Sequence, residues 1–106
     1  MNPSLRAVFE QQKQSIDAIC ESYSVASLDL FGSGTTDAWR PDESDLDFVV
    51  TFLPTGHEGL ADRYLGLAEE LEALFQRSVD LITPGAIKNP YFRARVDASR
   101  SRIYAK

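Results

Sequence analysis

The sequence contains very little cysteine and histidine and no long apolar run, and each shortage excludes a class of protein. A single cysteine, Cys20, cannot form an internal disulfide or a cysteine-based zinc site. A single histidine, His57, has no second imidazole with which to share a metal ion. No apolar stretch approaches the roughly 20 residues of a membrane helix, and the N-terminus lacks the pattern of a secretory signal. These absences predict one cytoplasmic domain that spans residues 1–106, with no membrane contact.

The charged residues are unevenly distributed along the chain. The 16 acidic and 11 basic side chains give a net charge of −5. Residues 1–84 carry fifteen of the acidic groups, whereas residues 85–106 carry six basic groups and one acidic group. An acidic protein is poorly suited to bind duplex DNA, because contacts with phosphates dominate that affinity. For the basic segment two interpretations stay open: it contacts a nucleotide triphosphate or an acidic partner, or it is a solvated, arginine-rich helix face.

The spacing of apolar residues predicts alternating helices and strands. Helices are predicted at 3–23, 60–75 and 90–99, and strands at 25–31, 45–52, 79–83 and 102–105. Cys20 falls on the apolar face of the first helix, so we expect a small buried hydrophobic residue rather than a reactive thiol. This order of elements predicts an α/β (α+β) fold, in which a small mixed sheet of three to four strands is flanked by helices.

Two aspartates interrupt the apolar pattern of the strand at 45–52. Because side chains alternate along a strand, Asp45 and Asp47 point to the same side of the sheet. Two ionised carboxylates at that distance repel each other unless a cation lies between them, and carboxylate oxygens suit Mg²⁺ or Mn²⁺. An Asp-x-Asp pair also occurs on the solvated side of half-buried sheets, so the motif alone does not decide between the two interpretations.

Two further features extend this pattern. The strand at 25–31 ends in Gly32-Ser33-Gly34, a turn that can present backbone N–H groups and the Ser33 hydroxyl to a phosphate, although such a sequence is often only a turn. Asp80 adds a third carboxylate within the apolar strand at 79–83. A charge in that position is unfavourable unless it reaches water, a metal ion or a partner.

Taken in order, these segments resemble the nucleotidyltransferase superfamily of DNA polymerase beta-like catalytic domains. They look most like the stand-alone minimal nucleotidyltransferases, abbreviated MNT. The matching segments are Leu30–Ser33, Ser44–Val50 and Ser78–Pro84. Two differences from many members are visible: eleven residues separate Ser33 from Asp45, one more than usual, and Thr35-Thr36-Asp37 stands where a basic residue commonly follows Gly-Ser.

The resemblance implies a site and an activity. In such a site Gly32 and Ser33 hold the phosphates of an incoming NTP, and two Mg²⁺ ions (or Mn²⁺) are bound by carboxylates. The implied metal ligands and catalytic residues are Asp45, Asp47 and Asp80. The activity is transfer of an NMP, AMP from ATP being the leading expectation, onto an acceptor hydroxyl, and Asp80 would assist its deprotonation.

The resemblance also implies a partner. MNT proteins often pair with a helical HEPN toxin, and the MNT antitoxin can add AMP to a tyrosine of that toxin. Two alternatives stay open: a catalytically inert module that binds its partner by contact through residues 88–106, and a transferase that modifies a small molecule such as an antibiotic. A homodimer is also left open.

Four further residues are not assigned to the site. We expect His57 to be a surface residue near the start of a helix. Trp39 is expected to pin its loop to the domain rather than to stack on a base. Tyr91 and Phe92 are expected to be core or interface residues rather than a platform for bases.

Overall fold

The computed structural model describes residues 3–32, 45–54 and 59–106. The predictions for Ser33, Trp39 and His57 lie outside these residues. The elements, in chain order, are α1 (Pro3–Gln11), α2 (Lys13–Ser22), β1 (Val25–Phe31), β2 (Leu46–Phe52), α3 (Leu60–Phe75), β3 (Val79–Ile82), a 3₁₀ turn (Pro84–Ala86), α4 (Pro90–Ser99) and β4 (Ser101–Ala105). Among the described helices, none is long and apolar enough to cross a membrane.

The four strands form one mixed sheet in the order β3-β2-β1-β4. β1 is antiparallel to both β2 and β4, whereas β2 and β3 run parallel. A parallel pair needs a long crossover between its strands, and α3 provides it. The prediction of a small mixed sheet flanked by helices is therefore confirmed.

The predicted helix at 3–23 is divided into two helices. Gln12 separates α1 from α2, with backbone angles of φ −98° and ψ 10° that lie outside the helical region. Backbone hydrogen bonds still run from Gln12 N to Val8 O and from Ile16 N to Gln12 O, so the chain continues with a local break. The apolar spacing extends across this residue, which explains why the sequence predicted one helix.

One face of the sheet forms the main core against α1, α2 and α3. Its fully buried strand residues include Leu28, Leu30 and Phe48, and Phe9 of α1 packs edge-to-face on Phe48 with ring centroids 6.2 Å apart. Cys20 belongs to this core and has no exposed surface. This burial confirms the prediction of a small buried hydrophobic residue, and it raises the pKa of the thiol to about 12.

The opposite face of the sheet carries a smaller core beneath α4. It contains Phe31, Val49, Ile87 and Val96. The alternation predicted for β2 is confirmed, because Phe48 and Val50 lie in the main core while Val49 lies under α4.

The start of α4 is specified by its sequence. The side chain of Asn89 accepts hydrogen bonds from the backbone N–H groups of Tyr91 and Phe92, at 2.8 and 3.2 Å. Pro90 takes the first helical position, where its missing N–H has no consequence.

A buried carboxylate in β1 forms ion pairs with two arginines near the C-terminal end of the described fold. Asp29 is 2% exposed, and its two oxygens accept hydrogen bonds from Arg100 Nε at 2.8 Å and from Arg102 Nε at 2.6 Å. Arg100 also pairs with Asp97 at 3.0 Å. The basic C-terminal segment therefore has an internal role that neither interpretation of the sequence included, because two of its arginines neutralise a carboxylate of the same chain.

We expect Asp29→Asn to lower the free energy of unfolding by about 2–4 kcal/mol, because it leaves two guanidinium groups without their buried counter-charge. Urea unfolding followed by circular dichroism measures this change. The matched control is Asp17→Asn, whose carboxylate forms an exposed pair with Lys13 at 3.3 Å and is expected to change stability by less than about 1 kcal/mol. Equal stability of the Asp29 variant and the control would contradict the importance of the buried ion cluster.

Candidate active site

Asp47 and Asp80 are direct neighbours across the parallel strands β2 and β3. The register pairs Asp47 with Asp80, and on either side it pairs Leu46 with Val79 and Phe48 with Leu81. Neighbouring strands lie about 4.8 Å apart, and residues that are paired in register point to the same face. The two carboxyl groups therefore meet on the face of the sheet that carries α4.

The two carboxylates repel each other when no cation lies near them. Burial raises the pKa of the Asp47 carboxyl to about 6, with further contributions from the charge of Asp80, a hydrogen bond to Asp80 and the charge of Asp45. With no cation beside it, the ionised Asp47 carboxylate is poorly solvated and is repelled by its acidic neighbours, so its charged form is disfavoured.

Asp45 lies near Asp47, just before the first residue of β2. It is exposed, and its charge contributes to the raised pKa of Asp47. Within residues 3–32, 45–54 and 59–106, no three Asp, Glu, His or Cys side chains are grouped closely enough to form a ready metal cluster. The structure thus brings together two of the three predicted ligands, Asp47 and Asp80. The third, Asp45, lies two residues before Asp47 in the sequence.

Gly32 follows the last residue of β1 and lies in close contact with Asp47. Its φ of +75° lies in the left-handed region, and a Cβ on this residue would lie 2.9 Å from Asp47 Oδ2. Both features require glycine, because a side chain would be strained and would displace the carboxylate. The backbone N–H of Gly32 donates to Ser99 Oγ at 3.3 Å, which ties the turn to the last residue of α4.

A cavity of about 440 Å³ lies beside the carboxylates, between β1, β2 and α4. Its described lining residues are Phe31, Gly32, Asp47, Phe92, Arg95, Val96 and Ser99. Phe92 packs edge-to-face against Phe31, with ring centroids 6.1 Å apart. The cavity therefore combines an apolar wall with one carboxylate and one guanidinium.

The residues of α4 were only partly predicted from the sequence. Phe92 packs into the smaller core as expected, whereas Tyr91 is 81% exposed and is not a core residue, so its expected role at an interface stays a prediction. Once Pro90 starts the helix, Tyr91 faces solvent and Phe92 faces the sheet. Arg95 and Ser99 were missed; their spacing of three and seven residues from Phe92 is the signal that places them on the same helix face.

We expect the pH dependence of stability to report on Asp47. Its folded pKa lies near 6, above the ordinary value of 3.8, so the stability it contributes is fully present below about pH 4 and is lost as the pH rises through about 6. In EDTA, Asp47→Asn should therefore gain about 1–2 kcal/mol over the wild type at pH 7.5 and nothing at pH 4, an amount reduced by solvent screening at this partly exposed site. Urea unfolding at the two pH values measures the gain, and the same gain at both would contradict the shifted pKa.

We expect Gly32→Ala to destabilise the protein by about 1–3 kcal/mol, because the methyl group strains the backbone and collides with Asp47. Gly85→Ala is the matched control, since a Cβ there meets no atom within 4 Å. Thermal unfolding of both variants provides the comparison. If the two glycines tolerate alanine equally well, the close contact between Gly32 and Asp47 is not tight in solution.

The chain is similar to known nucleotidyltransferases in sequence. A family model described as "Nucleotidyltransferase domain" matches residues 13–104. "Putative protein adenylyltransferase MJ1379" of Methanocaldococcus jannaschii is 36% identical over 77 residues, which cover 73% of this chain and 75% of the relative.

The fold is also similar to that of solved structures. One is a structure of a "putative minimal nucleotidyltransferase", with a TM-score of 0.68, 23% identity and coverage of 92% of this chain and 91% of the other. Another contains the tri-AMPylated HEPN toxin of Shewanella oneidensis in complex with its MNT antitoxin, with a TM-score of 0.60, 16% identity and coverage of 92% and 73%. These findings confirm the resemblance drawn from the sequence motifs, and the chain belongs to the nucleotidyltransferase domain family.

Proposed function

We propose that this protein is a protein adenylyltransferase that acts as the antitoxin of a HEPN–MNT pair. It transfers AMP from ATP to a hydroxyl group of its helical partner. The observation that carries the proposal is the Asp47–Asp80 pair, which meets in register on the sheet face beside the Gly32 turn. The name of the M. jannaschii relative and the AMPylated toxin held by the S. oneidensis antitoxin support the choice of reaction and of partner.

The donor set fits divalent magnesium. Asp47 and Asp80 offer oxygen ligands only, and burial together with the charges of Asp80 and Asp45 raises the pKa of Asp47, so a bound cation would favour its ionised form. Asp45, Asp47 and Asp80 would hold two Mg²⁺ ions, and Mn²⁺ has the same preference for oxygen. When bound, the ions supply positive charge to the phosphates and to the acceptor oxygen.

The protein's own groups orient the reactants and accept a proton. In this proposal Gly32 and Ser33 contact the phosphates of the NTP. The acceptor oxygen forms a bond to the α-phosphorus, the bond from that phosphorus to the bridging oxygen breaks, and pyrophosphate leaves. Asp80, which is exposed, takes the proton of the acceptor hydroxyl.

The test combines the purified chain, ATP labelled in its α-phosphate, Mg²⁺ and the co-encoded helical protein. We expect label on a tyrosine of that partner, and we expect Asp45→Asn/Asp47→Asn to lower the rate by about 100-fold or more. The double variant removes charges that repel each other, so it should be at least as stable as the wild type, and lost activity then reflects the site. Asp17→Asn, far from the site in an exposed pair with Lys13, should retain full activity.

The outcomes separate the proposal from its alternatives. If the double variant still neutralises the partner as well as the wild type does, the protein acts by contact alone. If the wild type binds ATP in the presence of Mg²⁺ but labels no protein, the acceptor is a different molecule, and antibiotic-like alcohols are the next class to assay. If no NTP binds with or without Mg²⁺, the nucleotide site itself is excluded.

A further inference from the structure

Arg95 provides positive charge at the cavity beside the carboxylate pair. It lies on α4 at positions i+3 from Phe92 and i−4 from Ser99, on the side that faces Gly32 and Asp47. Among the described residues that line this cavity, Arg95 is the one cation and Asp47 the one anion. Its side chain is exposed to the cavity solvent, so a ligand can reach it.

The other arginines near Arg95 already have partners within the chain. Arg100 and Arg102 bind the buried Asp29, and Arg93 donates to the carbonyl of Pro84 at 3.0 Å. Within the described residues, the guanidinium of Arg95 forms no ion pair, while its backbone carbonyl accepts a hydrogen bond from Ser99 Oγ. Arg95 therefore does not serve to neutralise a carboxylate of the described fold.

We propose that Arg95 binds the polyphosphate of the NTP in this cavity, an inference that rests on the proposed function. A triphosphate placed beside Asp45, Asp47 and Asp80 meets like charges, and metal ions bound between them neutralise only part of that charge. A guanidinium presents several N–H donors in one plane, which match phosphate oxygens in pairs and remain charged at every physiological pH. Arg95 supplies such a group on the wall opposite the sheet.

The helix that carries Arg95 is fixed at both ends. Asn89 caps its N-terminus, and at its C-terminus Ser99 contacts Gly32 while Arg100 binds Asp29. The Cα of Arg95 therefore has a defined position relative to the turn and to the carboxylates.

The test is calorimetry of ATP with Mg²⁺ on the full chain, for the wild type and for Arg95→Gln, Arg95→Lys and Arg93→Gln. We expect Arg95→Gln to weaken ATP binding by about 10- to 100-fold, since it removes a charge-assisted contact. Arg95→Lys should recover part of the affinity, because it keeps the charge without the paired geometry. Arg93→Gln alters a neighbouring arginine that does not line the cavity, and it should bind ATP as the wild type does.

Two further readouts distinguish binding from a structural role. The affinity of Arg95→Gln should depend less steeply on salt concentration than that of the wild type, and its melting temperature should stay the same. Unchanged ATP affinity in Arg95→Gln overturns the inference, and so does weaker binding accompanied by a lower melting temperature and an unchanged salt dependence. Normal ATP binding with lost transfer to the partner also overturns it, because Arg95 would then contact the acceptor. A wild type that binds no ATP overturns the proposed function itself.

Discussion

The ion pairs between the buried Asp29 and two arginines are the interaction on which the geometry of the site depends. Asp29 lies in the central part of β1, and the arginines that neutralise it, Arg100 and Arg102, come from the junction between α4 and β4. Ser99 directly precedes this junction and contacts Gly32, so the position of the turn follows from the ion cluster. Because a buried carboxylate without its counter-charges is strongly unfavourable, this ion cluster stabilises the packing of β4 and the end of α4 against β1.

The second constraint is the parallel register of β2 and β3. The same register that buries Phe48 next to Leu81 on one face forces Asp47 and Asp80 together on the other. Apolar burial of the first pair stabilises the sheet, while repulsion within the second pair opposes it, and both follow from the alternation of side chains along the strands. The fold itself therefore holds the two carboxyl groups next to each other.

The sequence predicted most elements, because their patterns are local. The alternation from Asp45 to Phe52 identified both faces of β2, and the helical spacing from Leu60 to Phe75 identified α3. The break at Gln12 was not predictable, since the apolar spacing continues through it. Asp29 was missed because its partners lie 71 and 73 residues away, and no local pattern connects them. The position of Arg95 at the cavity depends in the same way on how α4 packs, which only the three-dimensional arrangement defines.

The place of Asp80 in the sheet has a consequence for what can approach it. Within the described sheet, β3 is an edge strand, and the Asp80 side chain is exposed there. A reactive group at an edge is open to a large convex body from the side, whereas a group on a central strand is reached only through a narrow opening. Such an arrangement gives little discrimination by steric exclusion. Under the proposed transfer to a partner protein, selectivity among acceptors would then come from shape complementarity between the two folded surfaces.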